Sequence, residues 1–122
     1  MPHTDKSVLV VDDDDDVREA LAVWLQLQGF VVREAANGRE ALANLTDPDQ
    51  ICLIVLDLFM PEMNGWAFRS AQLKDARLAQ IPVVVISADP AAVKRSMSPG
   101  VVGALTKPIE FTDLLRLVND HC

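Results

Sequence analysis

The chain has 122 residues, half of them hydrophobic, and a mean hydropathy of +0.18, which excludes a disordered polymer and fits one compact domain spanning residues 1–122. Eleven Lys and Arg stand against 18 Asp and Glu, a net charge of −7, so a nucleic-acid backbone is repelled and no nucleic-acid partner is expected. No apolar run approaches the ~20 residues of a spanning helix, and the polar amino-terminal segment is no secretory leader, so no membrane partner is expected either.

A chain of this size buries roughly two thirds of its unfolded surface, enough to fold without disulfides, metals or partners. Cys52 lies inside an apolar run and Cys122 stands last, which does not resemble a disulfide framework; a reducing, cytoplasmic location is the expectation.

Short apolar runs alternate with amphipathic stretches. Strands are predicted at residues 8–11, 30–33, 51–56, 83–86 and 101–105, the last weakened by Gly103. Between the first two, Val17, Ala20, Leu21, Trp24 and Leu25 follow the spacing of a helix with one buried stripe, closed by Gly29. A second helix follows Asn37-Gly38 through Ala41, Leu42 and Leu45, and a third follows Asn64-Gly65 through Trp66, Phe68, Ala71 and Leu73. Asp89-Pro90 supplies a cap and a first-turn proline for a fourth, over residues 91–97. Phe111, Leu114, Leu115 and Val118 mark a fifth. Five βα units with short connections predict an α/β fold, a doubly wound parallel sheet with helices on both faces. Function in such folds belongs at the carboxyl ends of the strands.

There the chain concentrates chemistry. The first strand runs into five aspartates, Asp12 to Asp16, whose mutual repulsion must be offset. Asp14 or Asp15 can cap the first helix, and a solvated acidic cap is the plain reading of Asp14 to Asp16. Asp12 and Asp13 lie at the strand end itself. Asp57 ends the apolar third strand, and if strands one and three are neighbours, ~4.8 Å apart, Asp12, Asp13 and Asp57 converge on one hard cation. Three carboxylates suit Mg²⁺, which favours oxygen ligands and a phosphate. Ser87 ends the fourth strand and Lys107 follows the fifth. Singly each is an ordinary turn residue; together they offer a hydroxyl donor and a fixed positive charge to phosphoryl oxygens, with Asp57 as the nucleophile.

Val8-Leu9-Val10-Val11-Asp12-Asp13-Asp14, Leu56-Asp57-Leu58-Phe59-Met60-Pro61-Glu62-Met63-Asn64-Gly65, Ser87 and Leu105-Thr106-Lys107-Pro108, in this order and spacing, resemble the receiver domain of two-component response regulators over almost the whole chain. The resemblance implies a flavodoxin-like five-stranded sheet of order 2-1-3-4-5, the order of a chemotaxis receiver, with five helices. It implies that Asp57 accepts a phosphoryl group from a sensor histidine kinase or histidine phosphotransfer protein. Asp12, Asp13, Asp57 and the Phe59 carbonyl would hold Mg²⁺, and Lys107 and Ser87 would bind phosphoryl oxygens. It also implies a cis Lys107-Pro108 bond, and a downstream protein target on the face of helix four, strand five and helix five.

So read, the chain is a signalling switch rather than an enzyme, confined to taking up a phosphoryl group and losing it to water. With His3 and His121 outside the motif, the phosphodonor must be a separate protein. Phe59 and Asp89 are the residues expected to tune the phosphorylated lifetime, although Phe59 reads equally well as plain packing. Trp24 reads as core, and Trp66 as packing or as a partly exposed docking residue. The switch pair departs from the family: beside Ser87, the usual aromatic residue three positions before the lysine is Ala104. Output then relies on loop movement around Ser87 and residues 101–103, or is weak.

A phosphatase with an aspartate nucleophile would carry a general acid where Phe59 stands, and a nucleotide-binding module would need a phosphate loop where the five aspartates stand. A phosphorylation-independent receiver-like docking module remains the alternative.

Overall fold

The computed structural model describes residues 6–60 and 63–122; His3, Pro61 and Glu62 of the sequence reading lie outside them. The strands are β1 (Ser7–Val11), β2 (Val31–Ala35), β3 (Ile51–Asp57), β4 (Val83–Ser87) and β5 (Val101–Thr106). All pair in parallel, in the order β2-β1-β3-β4-β5. The helices are α1 (Asp15–Leu27), α2 (Gly38–Ala43), α3 (Gly65–Leu73), α4 (Pro90–Arg95) and α5 (Phe111–His121).

Successive side chains of a strand point to opposite faces, and the core divides accordingly. Leu9, Val11, Ile54, Leu56, Val83 and Val85 pack with Ala41 of α2, Phe68 of α3 and Ala92 of α4. Val8, Val10, Leu53, Val55, Val84 and Ile86 pack with Leu21 and Leu25 of α1 and Leu114 and Val118 of α5. Because β1, β3 and β4 are covered on both sides, every residue in them is buried. The edge strand β2 is partly exposed up to Ala35 and so carries Arg33 and Glu34.

Local chemistry sets the boundaries. Asp14 caps α1, its carboxylate accepting from the N–H groups of Asp16 and Val17. The helix ends in a Schellman motif: Gly29 has φ 97°, its N–H donates to the Gln26 carbonyl, and Phe30 N–H donates to Leu25. Phe30, predicted as the start of strand two, is therefore spent on ending α1, and β2 begins one residue later. Helix α2 stops at Ala43 because Asn44 is its C-cap, yet Leu45 still reaches the core. Helix α4 stops at Arg95, short of the predicted residue 97, where the Ser96 hydroxyl donates to the Val93 carbonyl.

Two features were absent from the sequence reading. Arg69 and Gln72 of α3 are buried together: the guanidinium donates to Gln72 Oε1 at 2.7 Å and to the Pro99 carbonyl at 2.9 Å, fixing the α4–β5 connection. The second is a correction. Cys52 and Cys122 form a disulfide, with Cα atoms 5.4 Å apart, where no pairing was expected. The β1–β3 register jumps from Ser7↔Ile51 to Val8↔Leu53, so Cys52 is an extra residue turned with Leu53 toward α5. Cys122 extends the Leu114 and Val118 stripe by one more turn, which brings it over the amino end of β3.

Gly103, predicted to weaken strand five, lets α5 approach: a Cβ there would lie 2.6 Å from Leu117 Cδ1. Gly65 is tighter, since its Cβ would lie 2.7 Å from both the Asp57 carbonyl oxygen and Leu58 Cα. At the first position of α3 an alanine ordinarily stabilises by about 0.5–1 kcal/mol; against this backbone Gly65→Ala is expected to cost about 1–3 kcal/mol instead. Urea denaturation of the two proteins checks the sign.

Candidate functional site

The parallel topology brings the carboxyl ends of β1, β3, β4 and β5 to one edge of the sheet. Asp12 follows β1 and is fully buried; its N–H donates to the Ala35 carbonyl, and its Oδ1 accepts from Asp14 N–H at 2.9 Å. Asp13, next in the chain, is exposed. Asp57 closes β3, is 4% exposed, and accepts from the Phe59 N–H at 3.3 Å. Ser87 closes β4, fully buried, and its oxygen accepts from the Asp89 N–H at 3.1 Å. That leaves the hydroxyl hydrogen free to be donated.

Lys107 follows β5, its backbone N–H donating to the Ser87 carbonyl at 2.8 Å before a cis peptide bond to Pro108, as the resemblance implied. The ammonium Nζ sits 2.9 Å from Asp12 Oδ2 and 3.6 Å from Asp57 Oδ2. Burial pulls Lys107 down, but the carboxylates of Asp12 and then Asp57 outweigh it and hold the ammonium above its ordinary range. Asp57 moves the other way for an acid, from 3.8 to about 7, raised by burial and then by the Asp12 charge, with Lys107 and the Phe59 N–H offsetting only part.

Asp12, Asp13 and Asp57 each present a carboxylate oxygen within 4.8 Å of the others, three acids facing one ammonium. Asp12 Oδ2 is buried and, apart from its ion pair with Lys107, has no hydrogen-bond donor among the described residues. Oxygen-only donors with surplus negative charge and an under-satisfied buried oxygen fit a hard divalent cation such as Mg²⁺.

The remaining sequence candidates stand around this cluster. Phe59 is 49% exposed, its ring edge-on to Trp66 at 5.3 Å; Trp66 is half-buried against the core. Asp89 is drawn aside, capping α4 through the Ala91 N–H at 3.0 Å. Ala104 pairs with Val85, two residues before the Ser87↔Thr106 pair. Trp24 is half-buried and stacks on Phe111 of α5 at 4.7 Å. One participant escaped the sequence reading: Arg18 donates to the Asp12 carbonyl at 2.9 Å while pairing with Asp15 at 2.7 Å and Glu34 at 3.3 Å. The Asp15-to-Arg18 spacing on α1 was the visible clue, but its contact with Asp12 depends on the turn between β1 and α1.

Comparison with known proteins agrees with this geometry. A family model described as response regulator receiver domain matches residues 8–119. A two-component response regulator of rice, ORR11, is 32% identical over 97% of this chain and 79% of its own length. An uncharacterised 14.6 kDa protein of Leptolyngbya boryana is 35% identical over 94% of this chain and 88% of its own length. Among solved structures, a response regulator receiver protein from Pseudomonas putida superposes with a TM-score of 0.86 at 32% identity, covering 97% of this chain and 98% of that one. The chemotaxis protein CheY4 of Vibrio cholerae superposes at 0.84 with 29% identity, covering 98% of this chain and 100% of that one.

The raised Asp57 has a consequence for stability. Native Asp57 keeps its proton up to about pH 7 whereas the unfolded chain loses it near 3.8, so the metal-free protein is stabilised as pH falls through 7. In chelator, the contribution gained between about pH 8 and 6 is on the order of 1 kcal/mol, or about 4 °C in Tm. Thermal scans in which Asp57→Asn abolishes that dependence check it.

Proposed function

Because this chain belongs to the response regulator receiver domain family, we propose that residues 1–122 form a single receiver in which Asp57 is the phosphoacceptor of a two-component phosphorelay. The observation that carries the proposal is the buried Asp57 carboxylate facing both Lys107 Nζ and the Asp12–Asp13 pair. Membership implies a histidine kinase or phosphotransfer protein as donor. Asp57 attacks the phosphorus of the phosphohistidine, the P–N bond breaks, and the imidazole leaves with a proton in place of the phosphoryl group.

Asp12, Asp13, Asp57 and the Phe59 carbonyl would hold Mg²⁺. When bound, the ion would supply positive charge to the carboxylates and to the incoming phosphoryl oxygens. Lys107, held between Asp12 and Asp57, needs only a short movement to pair with a phosphoryl oxygen. The Ser87 hydroxyl donates to another.

Hydrolysis ends the signal. The exposed Phe59 ring, steadied by Trp66, shields the phosphoryl group from water, while Asp89 acts on the site through its cap on α4 and its N–H to Ser87. Ala104 cannot swing between rotamers, so the response passes from Ser87 through the loop it anchors and residues 101–103 to the α4–β5–α5 face, where a downstream protein docks. The chemistry is limited to self-phosphorylation and autodephosphorylation. Among the described residues no helix is long and apolar enough to cross a membrane. With the net charge of −7, this supports a cytoplasmic receiver that engages neither membrane nor nucleic acid.

Intact mass spectrometry after incubation with acetyl phosphate or a phosphohistidine protein tests the reading. One Mg²⁺-dependent, base-labile phosphoryl adduct is expected, lost in Asp57→Asn; no adduct from either donor on the folded protein leaves the phosphorylation-independent docking module. Phe59→Asn is expected to change the decay of the adduct severalfold, followed by the same method.

A further inference from the structure

The Cys52–Cys122 bond lies at the amino end of β3, whereas Asp57 closes that strand at its carboxyl end. It joins the last turn of α5 to the sheet, closing a sequence separation of 70 residues. Cys52 is 6% exposed, and Cys122, the last residue, is half-buried against the same core, the more exposed of the two.

We propose that Cys52–Cys122 is a redox-sensitive clasp on α5, opened by a dithiol or by two monothiols in succession and closed again by oxidation. This stands on the fold and not on the phosphoacceptor reading. In a reducing compartment a disulfide that forms at all is typically transient or sensing, and three features fit this one to open and reclose.

The first is that both states are provided for. Cys52 Sγ lies 3.4 Å from the Ser7 carbonyl oxygen. In the disulfide that sulfur carries no hydrogen; in the dithiol its S–H has an acceptor in place, so opening strands no buried polar group. The second is that opening does not disperse the thiols. Leu114 and Val118 keep α5 on the sheet, and Leu117 seats against Gly103, holding Cys122 near Cys52 for reoxidation. The third is electrostatic. Cys52 lines an open cavity of about 320 Å³ together with Lys6, Arg77 and Asp49, the last two paired at 3.5 Å, and these charged and polar surroundings are suited to a departing thiolate.

The exchange balances. A thiolate of the dithiol attacks Cys122 Sγ, the Cys52–Cys122 bond breaks, and Cys52 leaves as a thiolate that takes up a proton. The second thiolate of the reductant then attacks its own first sulfur and expels Cys122, which is protonated in turn. The reductant becomes a disulfide, and two electrons and two protons pass to the protein.

Non-reducing mass spectrometry with thiol alkylation, hydrogen exchange and thermal scans, applied to the whole chain in air and in millimolar reduced glutathione or dithiothreitol, form the test. The expected result is an oxidised form two hydrogens lighter that opens in either reductant and reforms in glutathione disulfide. Opening should lower Tm by roughly 10 °C and speed amide exchange in the last turn of α5. The yield of the acetyl phosphate adduct should stay within about twofold. Cys122→Ser should match the reduced protein in both atmospheres. Two alkylatable thiols in the air-oxidised protein, a bond that survives millimolar glutathione, or a Tm and exchange pattern indifferent to redox state would each overturn the clasp.

Discussion

The arrangement turns on one ammonium held between buried carboxylates. Asp12 and Asp57 are nearly excluded from water, and two such charges on adjacent strands repel each other in a medium that screens them poorly. Lys107 reaches both, closely to Asp12 and loosely to Asp57. Burial first, and then the Asp12 charge, make Asp57 retain its proton toward neutrality, with Lys107 offsetting only part. A site still short of positive charge is suited to gain a cation and then a phosphoryl group. The fold places the surplus charge where ligands of both kinds can approach.

Much of the remaining structure keeps these strand ends still. The two-sided core fixes β1, β3 and β4 completely, so the groups at their ends move only with their loops. Arg18 ties the β1–α1 turn by its carbonyl, and Gly65 lets α3 start hard against the end of β3. Further along α3, Arg69, paired with Gln72, binds the α4–β5 connection through neutral acceptors. Desolvation alone lowers the Arg69 guanidinium below its usual range, as befits a cation whose partners carry no charge.

Most of the architecture could be read from residue patterns. All five strands and five helices were placed because apolar runs, cap residues and the 3.6-residue stripe are local properties. The boundary errors were local as well: Phe30 was claimed by a helix ending rather than a strand, and Ser96 ended α4 before Met97. For the site, Asp12, Asp13, Asp57, Ser87 and Lys107 could be picked out because each stands at a strand end in a recognisable motif. Arg18, Arg69 and Gln72 could not, since their partners are backbone carbonyls or groups whose positions only folding defines.

The sequence by itself determined the family, the parallel α/β plan and which acids, hydroxyl and lysine meet at one edge, because strand ends follow from where apolar runs stop. Only the tertiary structure decided how the charges divide, with Lys107 nearer Asp12 than Asp57 and Asp89 turned away to cap α4. It alone also paired Cys52 with Cys122. Ångström-scale distances and burial depend on packing between elements remote in the chain, and a single extra residue in the β1–β3 register was enough to turn Cys52 toward α5.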